Sequence, residues 1–200
     1  MHRVSKWGVI ATALLLTAGP ASGFMVPAGR FVNKSIADTT NMRYAMYVSS
    51  PAFKNGGSIP ARYARPAAGG LNMSIPLKWS GAPPGTKSFA LSIVDHHPVA
   101  HLWVHWMVLN IPAEVMSLPE GASGRQMPSG SIELANSFGN PGYGGPQPPR
   151  GSGPHAYVIT VYALSVARLA LDPNTTLAGF SEALDRKTLG KASMTGYFQK

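Results

Sequence analysis

The chain has 200 residues, 17 Lys and Arg against 8 Asp and Glu, a formal net charge of +9, and no cysteine. Without cysteine it has no disulfide and no cysteine-linked lipid anchor, so its fold must rest on buried apolar area and hydrogen bonds. Its 22 Gly and 18 Pro argue against a helical protein and for strands joined by tight turns.

The chain opens on Arg3 and Lys6, then an apolar run from Val9 to Ala18, then Gly19-Pro20 and the small residues Ala21-Ser22-Gly23. That order of charge, apolar stretch and small residues reads as a secretory signal. The run is shorter than the roughly 20 residues that span a bilayer. We expect cleavage before Phe24, with cleavage before Ser22 as the alternative, and a periplasmic or secreted protein. No Arg-Arg pair precedes the run, which argues against twin-arginine export. Removing residues 1–23 takes away Arg3 and Lys6 and leaves enough chain for one domain with a real core. The other basic residues stand singly, as at Arg30, Lys34, Arg43, Lys54, Arg62, Arg65, Lys78 and Lys87. With no basic helix and no aromatic-interleaved stripe, the charge reads as a solvated surface suited to an anionic envelope, not to nucleic acid.

Residues 24–43 show no lasting period and read as a flexible leader, with a single domain over residues 44–200. Met46 to Phe53 reads as a first strand and turn, and Asn55-Gly56-Gly57 as a turn. Leu71, Met73, Ile75, Leu77 and Trp79 alternate at strand period. After the turn at Gly81-Ala82-Pro83-Pro84-Gly85, Phe89 to Val94 is a nearly continuous apolar run, as in a strand buried on both faces. Trp103 to Ile111 and Ala156 to Leu164 repeat that pattern. The Gly/Pro-rich stretch from Ser137 to Pro154 is a long loop inside a compact domain, the kind that carries function. Leu177, Phe180 and Leu184 recur at helical spacing, with Ser181 and Glu182 as a start signal and Gly190 as the stop. Ser193 to Phe198 then predicts an edge strand.

Two apparent motifs fail on their context. Gly85-Thr86-Lys87-Ser88 has Thr where a phosphate loop needs Gly, and a strand follows it instead of a helix. Gly142-Tyr143-Gly144-Gly145 precedes Pro146, Pro148 and Pro149, which forbid the helix that would hold a dinucleotide pyrophosphate. No Gly-x-Ser-x-Gly elbow occurs.

The histidines carry the chemistry. His96, His97, His101 and His105 crowd together after Asp95, and His155 stands at the start of the last long apolar run. Three readings stay open. The spacing of His97, His101 and His105 would place them on one helix face for a metal, but Pro98 and the strand pattern from Trp103 oppose that helix. The second reading, turn residues plus a core His satisfied by a carbonyl, suits His96 and His101. The third is an anion pocket, with Asp95 fixing a His tautomer and the Gly-rich loop offering backbone N–H groups.

Asp95-His96-His97-Pro98 followed by Trp103-Val104-His105-Trp106-Met107-Val108-Leu109-Asn110-Ile111-Pro112 resembles the first signature of the phosphatidylethanolamine-binding protein family. Gly142 to Pro149, with His155-Ala156-Tyr157 and Thr160 to Leu164, resembles the second. The resemblance implies a mainly β protein, a sandwich of two antiparallel sheets with a few short peripheral helices. It also implies a pocket for a small anion: phosphate, phosphoethanolamine or a carboxylate. Carried over by residue, Asp95, His105, His155 and Tyr157 line that pocket, and Trp103, Gly145, Pro148 and Pro149 form its rim and floor. His96 and His97 stand where the family has Pro and a second Asp, which adds His97 to the candidates and predicts tighter anion binding below about pH 6.5. Ala156 lacks the cation common there. The expected function is an exported anion- or lipid-head-group-binding protein without cofactor, because no nucleophile paired to Asp95 and His105 is evident. The alternatives are a protease- or kinase-inhibitor-like protein partner, a homodimer among the assemblies, or a metal-dependent hydrolase in which His97 and His105 converge.

Overall fold

The structure is a computed structural model that describes residues 45–200. The expected signal at 1–23 and the leader at 24–43 lie outside the described residues. Among these, no helix is long and apolar enough to cross a membrane.

Nine strands and one α-helix follow in the described chain: β1 (Tyr47–Ser49), β2 (Gly57–Ser58), β3 (Leu77–Ser80), β4 (Ser88–Asp95), β5 (Trp103–Pro112), β6 (Ser117–Leu118), β7 (Ile132–Glu133), β8 (His155–Leu164), α1 (Leu177–Leu184) and β9 (Thr188–Phe198). Three-residue 3-10 turns lie at Ala61–Tyr63, Pro66–Ala68 and Pro98–Ala100. One sheet has three strands in the order β1-β3-β6, and the other has six in the order β2-β9-β8-β4-β5-β7. The long strands pair antiparallel, as expected, and the short β2 adds one parallel pair against β9.

The unbroken apolar run of β4 follows from its place. It sits between β5 and β8, and every one of its residues is buried. Phe89, Leu91 and Ile93 point into the main core with Trp106, Tyr157, Ile159 and Val161, closed by Leu77, Trp79 and Leu118 of the small sheet. Ala90 points the other way, into a second cluster with Met107, Leu109, Leu164, Phe180 and Leu184, where α1 covers the sheet. Both faces are therefore dry, and a strand with two dry faces has no polar alternation to show.

Three expectations need correction. The strand period from Leu71 to Trp79 yields a strand only from Leu77. Asn72 has a left-handed backbone (φ +54) and Pro76 has no N–H for a ladder, so residues 71–76 run as coil. Helix α1 starts earlier than Ser181, with the Thr176 hydroxyl accepting from the Gly179 N–H, and ends at Leu184 rather than at Gly190. Arg186 turns the chain at φ +57, and Gly190 pairs with Ala163 inside β9. Strand β9 is eleven residues long and lies between β8 and β2, so it is not an edge strand.

A bulge in β5 shapes the far end of the large sheet. Phe89 pairs with Ile111 but Leu91 pairs with Val108, so Leu109 and Asn110 share the space opposite Ala90. Asn110 takes φ +59, and its side-chain amide bonds both the N–H and the carbonyl of Leu169, at 2.8 and 3.0 Å. Replacing Asn110 by Ala strains the backbone and leaves two Leu169 groups unpaired. We predict a loss of about 3 kcal/mol in urea unfolding, with a smaller loss for Asn110→Gly, which keeps the φ.

Candidate functional site

The site forms where three strands end side by side. Asp95, the last residue of β4, pairs with Trp103 of β5 and with Tyr157 of β8. The loop from Ser137 to Pro154 folds over these ends. Together they enclose a cavity of about 400 Å³, lined by Asp95, Trp103, His105, Pro148, Pro149, His155 and Tyr157, with Val99, Ala100, Phe138 and Gln147. Seven of the nine residues expected from sequence thus share one cavity.

The other two stand behind it. His97 stacks its ring on that of His155, with centroids 3.9 Å apart and planes 13° from parallel. Its Nδ1 accepts from the Val99 N–H at 3.4 Å and so caps the 3-10 turn that carries Val99 and Ala100 into the cavity wall. Gly145 packs against the chain at Tyr63, where a Cβ would meet the Tyr63 carbonyl oxygen at 2.0 Å. It is a close-approach residue of the supporting layer rather than part of the lining. The expected free N–H groups of the glycine loop are also absent from Gly142 to Gly145. Their donors go to the Leu134 carbonyl, Ser123 Oγ, the His105 carbonyl and Asn72 Oδ1.

The polar floor is built around Asp95. Its Oδ2 accepts from His155 Nδ1 at 2.6 Å, and its Oδ1 accepts from the His97 backbone N–H at 2.9 Å. Both ring and carboxylate are buried, Asp95 at 3% and His155 at 1% exposure. A carboxylate facing Nδ1 fixes the Nδ1–H tautomer, which leaves Nε2 as an acceptor. That acceptor lies 2.9 Å from the hydroxyl of Ser152, which also reaches the Pro149 carbonyl at 2.7 Å. Sequence reasoning missed Ser152. Its only signal is a serine between two glycines, three residues before His155, and pairing in space is not visible in spacing.

His105 has the opposite environment. Its Nδ1 meets the Gly144 carbonyl at 2.5 Å, and its ring sits edge-on to Tyr157 and Phe138. Burial dominates and lowers its pKa from 6.5 to about 4, against the smaller upward pulls of the Gly144 carbonyl and Asp95. His105 is therefore neutral in mild acid, and any gain of charge below about pH 6.5 cannot come from it. Its Nε2 has no hydrogen-bond partner among the described residues. Tyr157 is held neutral as well: burial first, then the nearby Asp95 carboxylate, push its hydroxyl well above the usual range. That hydroxyl is buried and completes no well-formed hydrogen bond, although the Asp95 carboxylate is close enough to help hold its proton. Arg65, whose charge acts on His105, lies over the Phe138 ring at 4.0 Å.

The spacing of His97, His101 and His105 is not realised on a helix. His101 closes the 3-10 turn at φ +48, while His105 lies in β5. Among the described residues, no group of three or more His, Cys, Asp or Glu is placed to hold a metal.

Because folding lowers the His105 pKa, the unfolded chain binds the extra proton first as pH falls. The stabilisation is complete above pH 6.5 and is lost on the way to about pH 4. We predict a decline of up to about 3 kcal/mol in urea-derived stability across that window. His105→Gln, which does not titrate, should flatten that part of the profile; an unchanged slope would contradict the assignment.

The sequence pattern of the phosphatidylethanolamine-binding protein family matches residues 49–199. YbcL of Escherichia coli K12 is 36% identical over 161 residues, covering 78% of this chain and 88% of YbcL. Its crystal structure superposes with a TM-score of 0.73 at 35% identity, covering 78% of this chain and 98% of that one. A protein of Methanothermobacter thermautotrophicus is 37% identical over 157 residues, or 78% of this chain and 99% of its own length. The structure of the family homologue CT736 from Chlamydia trachomatis gives a TM-score of 0.68 at 32% identity, covering 78% and 99% of the two chains.

Proposed function

The chain belongs to the phosphatidylethanolamine-binding protein family, and we propose that it is an exported binding protein for a small phosphoryl or carboxylate group, seated on Tyr157, His105 and His155. The observation that carries this reading is the buried hydroxyl of Tyr157 on the floor of the cavity, which completes no well-formed hydrogen bond although the Asp95 carboxylate is close by. An orphaned buried hydroxyl costs about 1–3 kcal/mol, and a ligand oxygen accepting from it recovers that cost.

The ligand's chemistry follows from the protons on the floor. Tyr157 donates, while neutral His105 offers only the lone pair of Nε2. A phosphate monoester in its singly protonated form presents both an oxygen acceptor and a P–OH donor, and so matches the pair. The Asp95 charge is already engaged by His155 and the His97 N–H, which reduces its repulsion of an anion. Val99, Ala100, Trp103, Phe138, Pro148 and Pro149 give the cavity apolar walls suited to the carbon chain beyond the head group. An envelope address is supported by the opening sequence and by a relative, LppC of Mycobacterium tuberculosis, which is named as a candidate lipoprotein and is 37% identical over 152 residues.

Calorimetric titration with phosphoethanolamine tests the reading. Tyr157→Phe should weaken binding about 5- to 30-fold, the equivalent of about 1–2 kcal/mol, while leaving folding stability equal or higher because it removes an unpaired group. Equal affinity in wild type and Tyr157→Phe, with both folded, would contradict it.

A further inference from the structure

We propose that Ser152, His155 and Asp95 form a nucleophile relay that makes Ser152 acylatable and gives the protein esterase activity toward small acyl esters. This goes beyond anion binding and does not rest on it.

The three groups are linked in the order such chemistry needs. Ser152 Oγ is 2.9 Å from His155 Nε2, and His155 Nδ1 is 2.6 Å from Asp95 Oδ2. Asp95 holds the proton on Nδ1, so Nε2 is free to take the serine proton. The relay is rigid. One Asp95 oxygen is pinned by the His97 N–H, and the His155 ring is clamped by the stacked His97 ring. Asp95 and His155 are buried, where a hydrogen-bonded carboxylate orients the ring more firmly than in water. Only Ser152, at the reacting end, is partly exposed.

The surroundings of Ser152 leave room for a substrate. Gly151 and Gly153 take φ of +78 and +83, and a Cβ on either would meet nothing within 4 Å. The nucleophile therefore stands on a sharp turn with open space on both sides. The Gly153 N–H makes no hydrogen bond among the described residues and directly follows the nucleophile, the position of an oxyanion donor in other serine hydrolases. His155 and Pro149, to which Ser152 Oγ bonds, both line the cavity, although Ser152 itself is not part of the lining. The apolar walls fit a short acyl or aryl group.

The chemistry balances without a cofactor. Ser152 Oγ attacks the ester carbonyl carbon while its proton passes to His155 Nε2, and the carbonyl π pair becomes the oxyanion. Collapse breaks the bond to the leaving oxygen, which takes the proton from Nε2. Water attacks the acyl-serine with the same nitrogen as base, releasing a carboxylic acid and restoring the hydroxyl. In the resting state the hydroxyl divides its proton between His155 and the Pro149 carbonyl, which slows the first step.

The test uses the full chain with a fluorophosphonate probe and with p-nitrophenyl acetate. Peptide mapping should place a single phosphonate adduct on Ser152. Ser152→Ala, with an unchanged thermal midpoint, should lose the adduct and reduce p-nitrophenolate release at least about 100-fold. Asp95→Asn should slow labelling by a similar factor. Ser152→Cys, which keeps a nucleophile at the same position, should retain labelling by an alkylating probe; this readout holds even if Asp95→Asn fails to fold. An adduct elsewhere, equal reaction in Ser152→Ala, or no adduct at all would each overturn the proposal.

Discussion

The buried hydrogen bond between Asp95 and His155 is the constraint on which the site depends. It ties the last residue of β4 to the first residue of β8, at one of the two ends where these paired strands leave the sheet. A carboxylate placed there without a partner would be a severe fault, since removing one member of a buried charged pair costs about 3–5 kcal/mol. With the imidazole in place, the same carboxylate can also accept the His97 N–H, and that bond seats the His97 ring on the His155 ring. His97 in turn caps the short turn that brings Val99 and Ala100 to the cavity wall. Floor, clamp and wall are thus consequences of one contact.

The two buried histidines show how environment divides labour between identical side chains. His105 meets a backbone carbonyl and aromatic edges, so burial governs it and it stays neutral. His155 meets a carboxylate and a hydroxyl, so its ring is oriented at both nitrogens. One presents a lone pair to the cavity, and the other connects a buried charge to a half-buried serine. The loop between them is held by its own backbone donors and by close contacts at Gly144 and Gly145, where Cβ atoms would strike Phe138 and the Tyr63 carbonyl. Its glycines serve packing, and the recognition groups are side chains.

Strands β4, β5 and β8 were legible because a strand with both faces buried writes itself as a continuous apolar run. The length of β9 was not. It is half exposed and runs through Gly190, which reads as a helix stop but stands where Pro83 approaches too closely for a side chain. The boundaries of α1 were displaced for a related reason: a hydroxyl at Thr176 and a left-handed Arg186 set its ends, and neither stands out from sequence alone. Asp95, His105, His155 and Tyr157 could be assigned to one site by family resemblance, and strand pairing brings them together. Ser152 could not, because it joins His155 through a turn whose geometry no spacing rule encodes. The same limit explains Arg65 and Phe138, which reach the cavity region from distant loops.

The proton positions on His155 test this account most directly. Long-range 15N–1H NMR of the imidazole rings at neutral pH should show His155 carrying its proton on Nδ1, with Nε2 unprotonated. A His155 ring protonated on Nε2 alone would put the proton on the side away from Asp95. That result would remove the contact from which the floor, the clamp and the serine relay all follow.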